Sequence, residues 1–321
     1  GSVVASATDG DAAAAVQMRR LGSALNDLGQ MHLGDPELGD DGPVLAGACF
    51  ADALAAFEHV GDHANTSLLR LNVATVARGR STRLRRRREA SGHDASPSAA
   101  EIAAATETVS QQRRAVEGLR PTRGAQPQLW ARALRTCADD ERALGTLLHA
   151  LALGGHAEAA DLDALVRRTA GALASAQALF EELGELAEVQ LLLRQQGSLY
   201  LTAALLGLHA PGGAGERAAG KKLRIALTHY ERALGAQMMG GASPPMRICA
   251  AEARLELARF YLSWTGSGPR SRHLEAALAH ARAGIGVGGD EVAWPEWLRA
   301  GLADAEEQAA RDLRGAAAGG A

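Results

Sequence analysis

Along almost the whole chain apolar residues recur at spacings of three and four, and clusters of Gly, Pro and Asp interrupt the pattern. That spacing marks amphipathic helices, whereas a half-buried strand alternates at every second position. The interruptions predict about eleven helices. The first is expected from about Asp11 to Leu33, stopping at Gly34-Asp35-Pro36, and the second from about Val44 to Val60. Gly61-Asp62 turns the chain into a third, whose apolar stripe Leu68, Leu69, Leu71, Val73 and Val76 leads to an arginine run and an end near Ala90. A fourth is expected from about Pro97 to Leu119, a fifth from about Pro127 to Leu153, a sixth ending at Leu183 and a seventh ending near His209. Three more are expected from about Glu216 to Met239, Pro245 to Trp264 and Ser271 to Ile285, and an eleventh from Pro295, a residue suited to a first helical turn, to about Arg314.

Short connections make successive helices antiparallel neighbours, so the elements should pair into hairpins. The hairpins also repeat. FEHVGDHANTSLL and FEELGELAEVQLL align without a gap, matching Phe57 with Phe180, Gly61 with Gly184, Ala64 with Ala187, Leu68 with Leu191 and Leu69 with Leu192. Ala53-x3-Phe57-x2-Val60 and Ala226-x3-Tyr230-x2-Ala233 share a second pattern, a ring between small or slim residues. On the preceding helices Gly29-x2-His32, Gly197-x2-Tyr200 and Ala258-x2-Tyr261 place a ring three positions after a small residue. Small residues let two helices approach closely, and the ring fills the gap to the following hairpin. These spacings resemble tetratricopeptide repeats. The fold expected is therefore all-α, an α-solenoid of tetratricopeptide-like antiparallel hairpins over residues 11–314, with a disordered start at 1–10 and a disordered tail at 315–321.

Composition supports the helical reading, because 70 Ala stand against four Ile and three Tyr, and strands draw on the latter types. A net charge of -3 argues against wholesale attraction to nucleic acid or an anionic membrane, so any such binding must be local. Cys49, Cys137 and Cys249 lie far apart with no C-x-x-C and no Cys/His cluster, which predicts free thiols and a reducing compartment. No apolar run reaches the ~18 residues of a membrane span, and no membrane partner is expected.

The block MRRLGSALNDLGQMHL and the later CFADALAAFEHVGDHANTSLLRLNVATVARGR carry a more particular likeness. Around Arg20-Leu21, Asn26-x-Leu28-Gly29, Phe50-Ala51-Asp52-Ala53, Phe57, Asp62-His63, Asn65 and Asn72 the chain resembles the erythroid differentiation-related factor family, especially its plant and algal members. The resemblance is dense from Arg19 to Arg80 and rests on helix order elsewhere. It implies a large nuclear protein linked to transcriptional control, with tetratricopeptide-like helices and no catalytic activity.

Seven arginines, Arg78, Arg80, Arg83, Arg85, Arg86, Arg87 and Arg88, crowd the end of the third predicted helix. Like charges this dense repel, so the segment is expected to fray into solvent. Three uses compete with that reading: a nuclear import signal, a nucleic-acid phosphate contact, and docking onto an acidic partner. No aromatic is interleaved to stack bases. Gly215-x4-Gly220-Lys221-Lys222 fails as a phosphate-binding loop, since Lys222 stands where a Ser or Thr is needed and a helix precedes it. Gly284, Gly286, Gly288 and Gly289 read as a loop between helices. His59 and His63 flank a helix break and lack a third metal ligand. No catalytic residue, metal ligand or cofactor site is expected. The function expected is a non-enzymatic scaffold whose first helices line a concave groove for a protein partner, with Asn26, Gln30 and Asn72 as the candidate contacts. The location expected is the nucleus, or alternatively the cytoplasm. The alternative reading is a nucleic-acid contact through the arginines of residues 78–88.

Overall fold

A computed structural model describes residues 2–91, 96–153, 159–208, 214–235, 244–263, 270–288 and 295–318. Among them are eleven α-helices, two short 3-10 turns and no strand. The helices are α1 (Ser2–Gly34), α2 (Asp41–His59), α3 (His63–Ser91), α4 (Ala99–Leu119), α5 (Pro127–Leu153), α6 (Ala159–Leu183), α7 (Leu186–Leu208), α8 (Ala214–Gly235), α9 (Pro244–Ser263), α10 (Arg270–Gly288) and α11 (Glu296–Ala318). The described residues are thus all-α, and helices pack on their neighbours in sequence order from α1 to α5 and again from α7 to α11, as in an α-solenoid. None of the described helices is long and apolar enough to cross a membrane.

The chain falls into two compact units, Gly1–Gly154 with Ala178–Leu183, and Gly155–Gln177 with Gly184–Ala321. In the first, α1 pairs with α2 and α3 with α4, and α5 packs on α4. In the second, α7 pairs with α8 and α9 with α10, and α11 closes on both α9 and α10. Tight turns join the end of one hairpin helix to the start of the next element. Gly61 ends α2 at φ 65°, a left-handed conformation that favours glycine, and the Asp62 amide donates back to the Phe57 carbonyl at 2.9 Å. The Asp62 carboxylate then accepts from the Asn65 amide at 3.2 Å and caps α3. Its repeat partner Gly184 adopts φ 73° at the junction of α6 and α7.

Glycines on one helix receive rings from the next. An added Cβ on Gly29 of α1 would lie 2.5 Å from the Phe50 ring of α2, and one on Gly22 would lie 2.9 Å from Phe57. In the second unit Gly197 of α7 stands in the same relation to Tyr230 of α8, at 2.6 Å. The sequence reading assigned such rings to the gap before the following hairpin. They do share buried clusters with it, Phe57 with Leu69 of α3 and Tyr230 with Ala250, Ala253 and Leu257 of α9, and they sit as well on a glycine of their own hairpin. The rings on the first helices have their own role, since Tyr200 of α7 stacks on His229 of α8 and Tyr261 of α9 on His280 of α10, each at 5.7 Å.

Three boundaries differ from the sequence pattern. Helix α1 begins at Ser2 rather than Asp11, because Ala5, Ala7 and Ala12 to Ala15 favour helix without any tertiary requirement. Helix α11 continues to Ala318 for the same reason. Helix α10 runs through Gly284 and Gly286 to Gly288, where a loop was expected. At Gly284 the missing side chain leaves room for Leu302 of α11, which would approach an added Cβ to 2.6 Å. Gly289 lies outside the described residues, as does most of the loop expected at 91–96.

Candidate interaction site

The arginine run is helical rather than frayed, because α3 continues to Ser91. Two of its members are held by buried carboxylates. Arg78 donates through Nε and Nη2 to the two oxygens of Asp140 in α5, both at 2.7 Å. Arg88 makes a similar two-point contact with Glu101 near the start of α4, at 3.0 and 3.3 Å. Glu101 is positioned there because the Ser98 hydroxyl caps α4 through the Glu101 amide. A third pair, Arg113 of α4 with Glu141 of α5, completes the set. Each of the three helix pairs in α3, α4 and α5 is therefore stitched by one guanidinium–carboxylate contact. The carboxylates of Glu101 and Glu141 are 1% exposed, so removing either cation would leave charge stranded in the interior.

Burial decides the electrostatics here. It pushes the Asp140 carboxyl up, and the bond from Arg78 opposes that rise without cancelling it. Glu141 is raised in the same way against Arg113, and its Oε2 accepts no hydrogen bond. Cys137, one turn earlier on α5, is pushed up to about 12 by the same burial and by the two nearby carboxylates. It is an inert core thiol, and Cys49 and Cys249 are half-buried and also free.

Beside the Arg78–Asp140 contact lies a cavity of about 370 Å³ between α3, α4 and α5. Arg85, Ser81, Thr82, Thr108, Thr136 and Asp139 line it together with that pair. The hydroxyls of Thr108 and Thr136 are already bonded to carbonyls of their own helices. The remaining arginines of the run spread around α3. Arg83 and Arg87 approach Asp40 at 3.7 and 3.3 Å, Arg85 approaches Glu89 at 3.6 Å, and Arg80 and Arg86 are exposed. The run is thus a set of separate contacts around the helix and not one basic stripe.

The candidate groove residues occupy the first helices α1 and α3. Asn72 donates to Asn26 at 2.8 Å across the two, partly buried, while Gln30 is exposed. Sequence reasoning missed a neighbouring feature. The repeat-aligned leucines Leu68 of α3 and Leu191 of α7 are 38% and 46% exposed, while the adjoining Leu69 and Leu192 are 2% and 0%. The alignment of the two segments was the available signal. Gly220 lies inside α8 and Lys222 pairs with Asp163 at 2.7 Å, so the phosphate-loop look-alike is an ordinary helix. His59 and His63 end α2 and begin α3, both exposed. Among the described residues no group of three His, Cys, Asp or Glu is arranged to hold a metal.

Neither a protein-family model nor a curated protein matches the chain. Among solved structures it is similar to a circular tandem repeat protein of novel repeat topology, at 15% identity over 94% of this chain and 71% of that one, with a TM-score of 0.31. It is also similar to a human IFIT1 dimer with m7Gppp-AAAA, at 13% identity over 90% of this chain and 81% of that one, with a TM-score of 0.19. Both likenesses are too loose to bear on function.

Proposed function

We propose that this helical-repeat protein is a non-enzymatic scaffold that binds another protein along the outward faces of its first helices. The observation that supports the reading is the pair Leu68 and Leu191, apolar and exposed at equivalent positions of two repeats. Each stands exposed beside a buried leucine, so neither side chain is used by the core of its own unit. Asn72, one turn after Leu68 on α3, bonds Asn26 of α1, and the exposed Gln30 follows one turn later on α1, so amide groups able to bond an extended backbone continue from that leucine. A role in a nuclear regulator of transcription is part of the proposal and rests on the resemblance of residues 19–80 to the erythroid differentiation-related factors.

A photo-crosslinking side chain at position 68 or 191, followed by affinity purification from nuclear extract, tests it directly. A partner should crosslink at position 68 or at position 191, and glutamate at the crosslinked position should abolish its retrieval without changing helix content. Retrieval unaffected by these changes and by charge placed at Asn26, Gln30 and Asn72 would sink the groove reading.

A second reading, nucleic-acid contact, is favoured by the exposure of Arg80, Arg85, Arg86 and Arg87. Arg78 and Arg88 are excluded from it because buried carboxylates hold them. Four phosphate contacts would give log K against log [salt] a slope of roughly -4, and alanine at those four positions should remove it. A salt-insensitive interaction would count against this reading.

A further inference from the structure

Helix α1 has one side more apolar than its fold requires. Two of its faces are committed. Arg19 pairs with Asp62 at 3.4 Å and Asn26 bonds Asn72, which marks the side toward α3, while Gly22 and Gly29 receive the rings of α2. The side away from α3 carries Leu21, Ala24, Leu28 and Met31, all exposed, with Leu21, Leu28 and Met31 at 49%, 41% and 70%. Their 3-4-3 spacing places them in one line along the helix, the seam by which two helices pair. Gln17 and Ala14, also exposed, continue the line toward the N-terminus.

We propose that this seam docks on the same seam of a second copy of the chain, with the two α1 helices antiparallel. The reason for choosing a second copy is that the pattern is its own complement. With a two-fold axis between Gly22 and Ser23, Leu21 faces Ala24 of the other copy and Ala14 faces Met31, so bulk meets a small residue in each of these layers. Leu28 then faces the flexible Gln17. In the same register Arg20, on one flank of the seam, meets Asp27 of the other copy, and the symmetry makes that contact twice. A closed two-fold interface requires this self-matching of size and charge, which an unrelated partner would not impose on one helix.

Sedimentation or light scattering of the full chain over a range of concentrations tests the proposal. A species of twice the chain mass is expected, and Leu28→Glu should leave only the single-chain species. Arg20→Glu sets like charges against each other at both contacts and should weaken association roughly tenfold or more. Adding Asp27→Arg to the same chain should restore it, because the reversed pairs again match in the antiparallel register. Every substituted residue is exposed, and circular dichroism checks that the helices persist. A wild-type protein of single-chain mass at all concentrations would overturn the proposal. So would a dimer indifferent to Leu28→Glu, or one that the double charge reversal fails to restore.

Discussion

A close helix contact in the second unit predicts different outcomes for one chemical change at two glycines. Gly197 of α7 and Gly171 of α6 are both interior helical positions in that unit. Alanine in place of helical glycine is worth about 1 kcal/mol in propensity at either site. At Gly171 nothing lies within 4 Å of the added methyl, so Gly171→Ala should stabilise by that full amount. At Gly197 the methyl would stand 2.6, 2.8 and 2.8 Å from three atoms of the Tyr230 ring. That ring is 2% exposed and confined by Ala226, Ala250 and Leu257 in the same cluster, so it has little room to retreat. Overpacking of this kind costs about 1–3 kcal/mol. The propensity gain offsets part of it, and Gly197→Ala should come out roughly neutral to 2 kcal/mol destabilising. The difference between the variants cancels propensity and isolates the contact, at about 1–3 kcal/mol. Urea denaturation followed by circular dichroism measures both. Equal shifts of the same sign would refute the claim that glycine is present to admit the ring.

Arg78→Ala leaves Asp140 buried without its cation and should destabilise the first unit by about 2–3 kcal/mol, toward the lower end for such pairs because Arg78 is 37% exposed; a loss within experimental error in urea denaturation would contradict the structural role assigned to it. Burial raises the Glu141 carboxyl, so the folded state keeps a proton that the unfolded state has lost; the associated stability is full below the ordinary carboxylate range and is lost as pH rises through the raised value. Glu141→Gln should therefore gain on wild type as pH rises above the ordinary carboxylate range, and parallel stability curves would show that the group titrates normally. Thiol labelling of the native protein at neutral pH should modify Cys49 and Cys249 first, with Cys137 reacting only on unfolding. Alanine at Arg80 and Arg86 should leave the urea midpoint unchanged, since surface cations of this kind contribute little to stability.

The number and order of the helices were legible in the sequence, because helical period and turn residues are local properties. So was the equivalence of two repeats. Phe57 and Phe180 are both buried, Gly61 and Gly184 are both left-handed, and Leu69 and Leu192 are both interior. What local pattern could not say is which residues of a repeated or charged segment the fold consumes. Seven arginines in eleven positions look alike along the chain, yet Arg88 is held by Glu101 and Arg78 by Asp140, carboxylates 13 and 62 residues away. Gly284 belongs inside a helix only because Leu302 needs the space. Leu68 and Leu69 are adjacent and chemically identical, and a 100° turn of the helix separates exposure from burial. Local sequence determined the helices and their order. Only the tertiary structure decided which of their side chains are spent on the core and which remain exposed, because burial depends on helices brought together from distant parts of the chain.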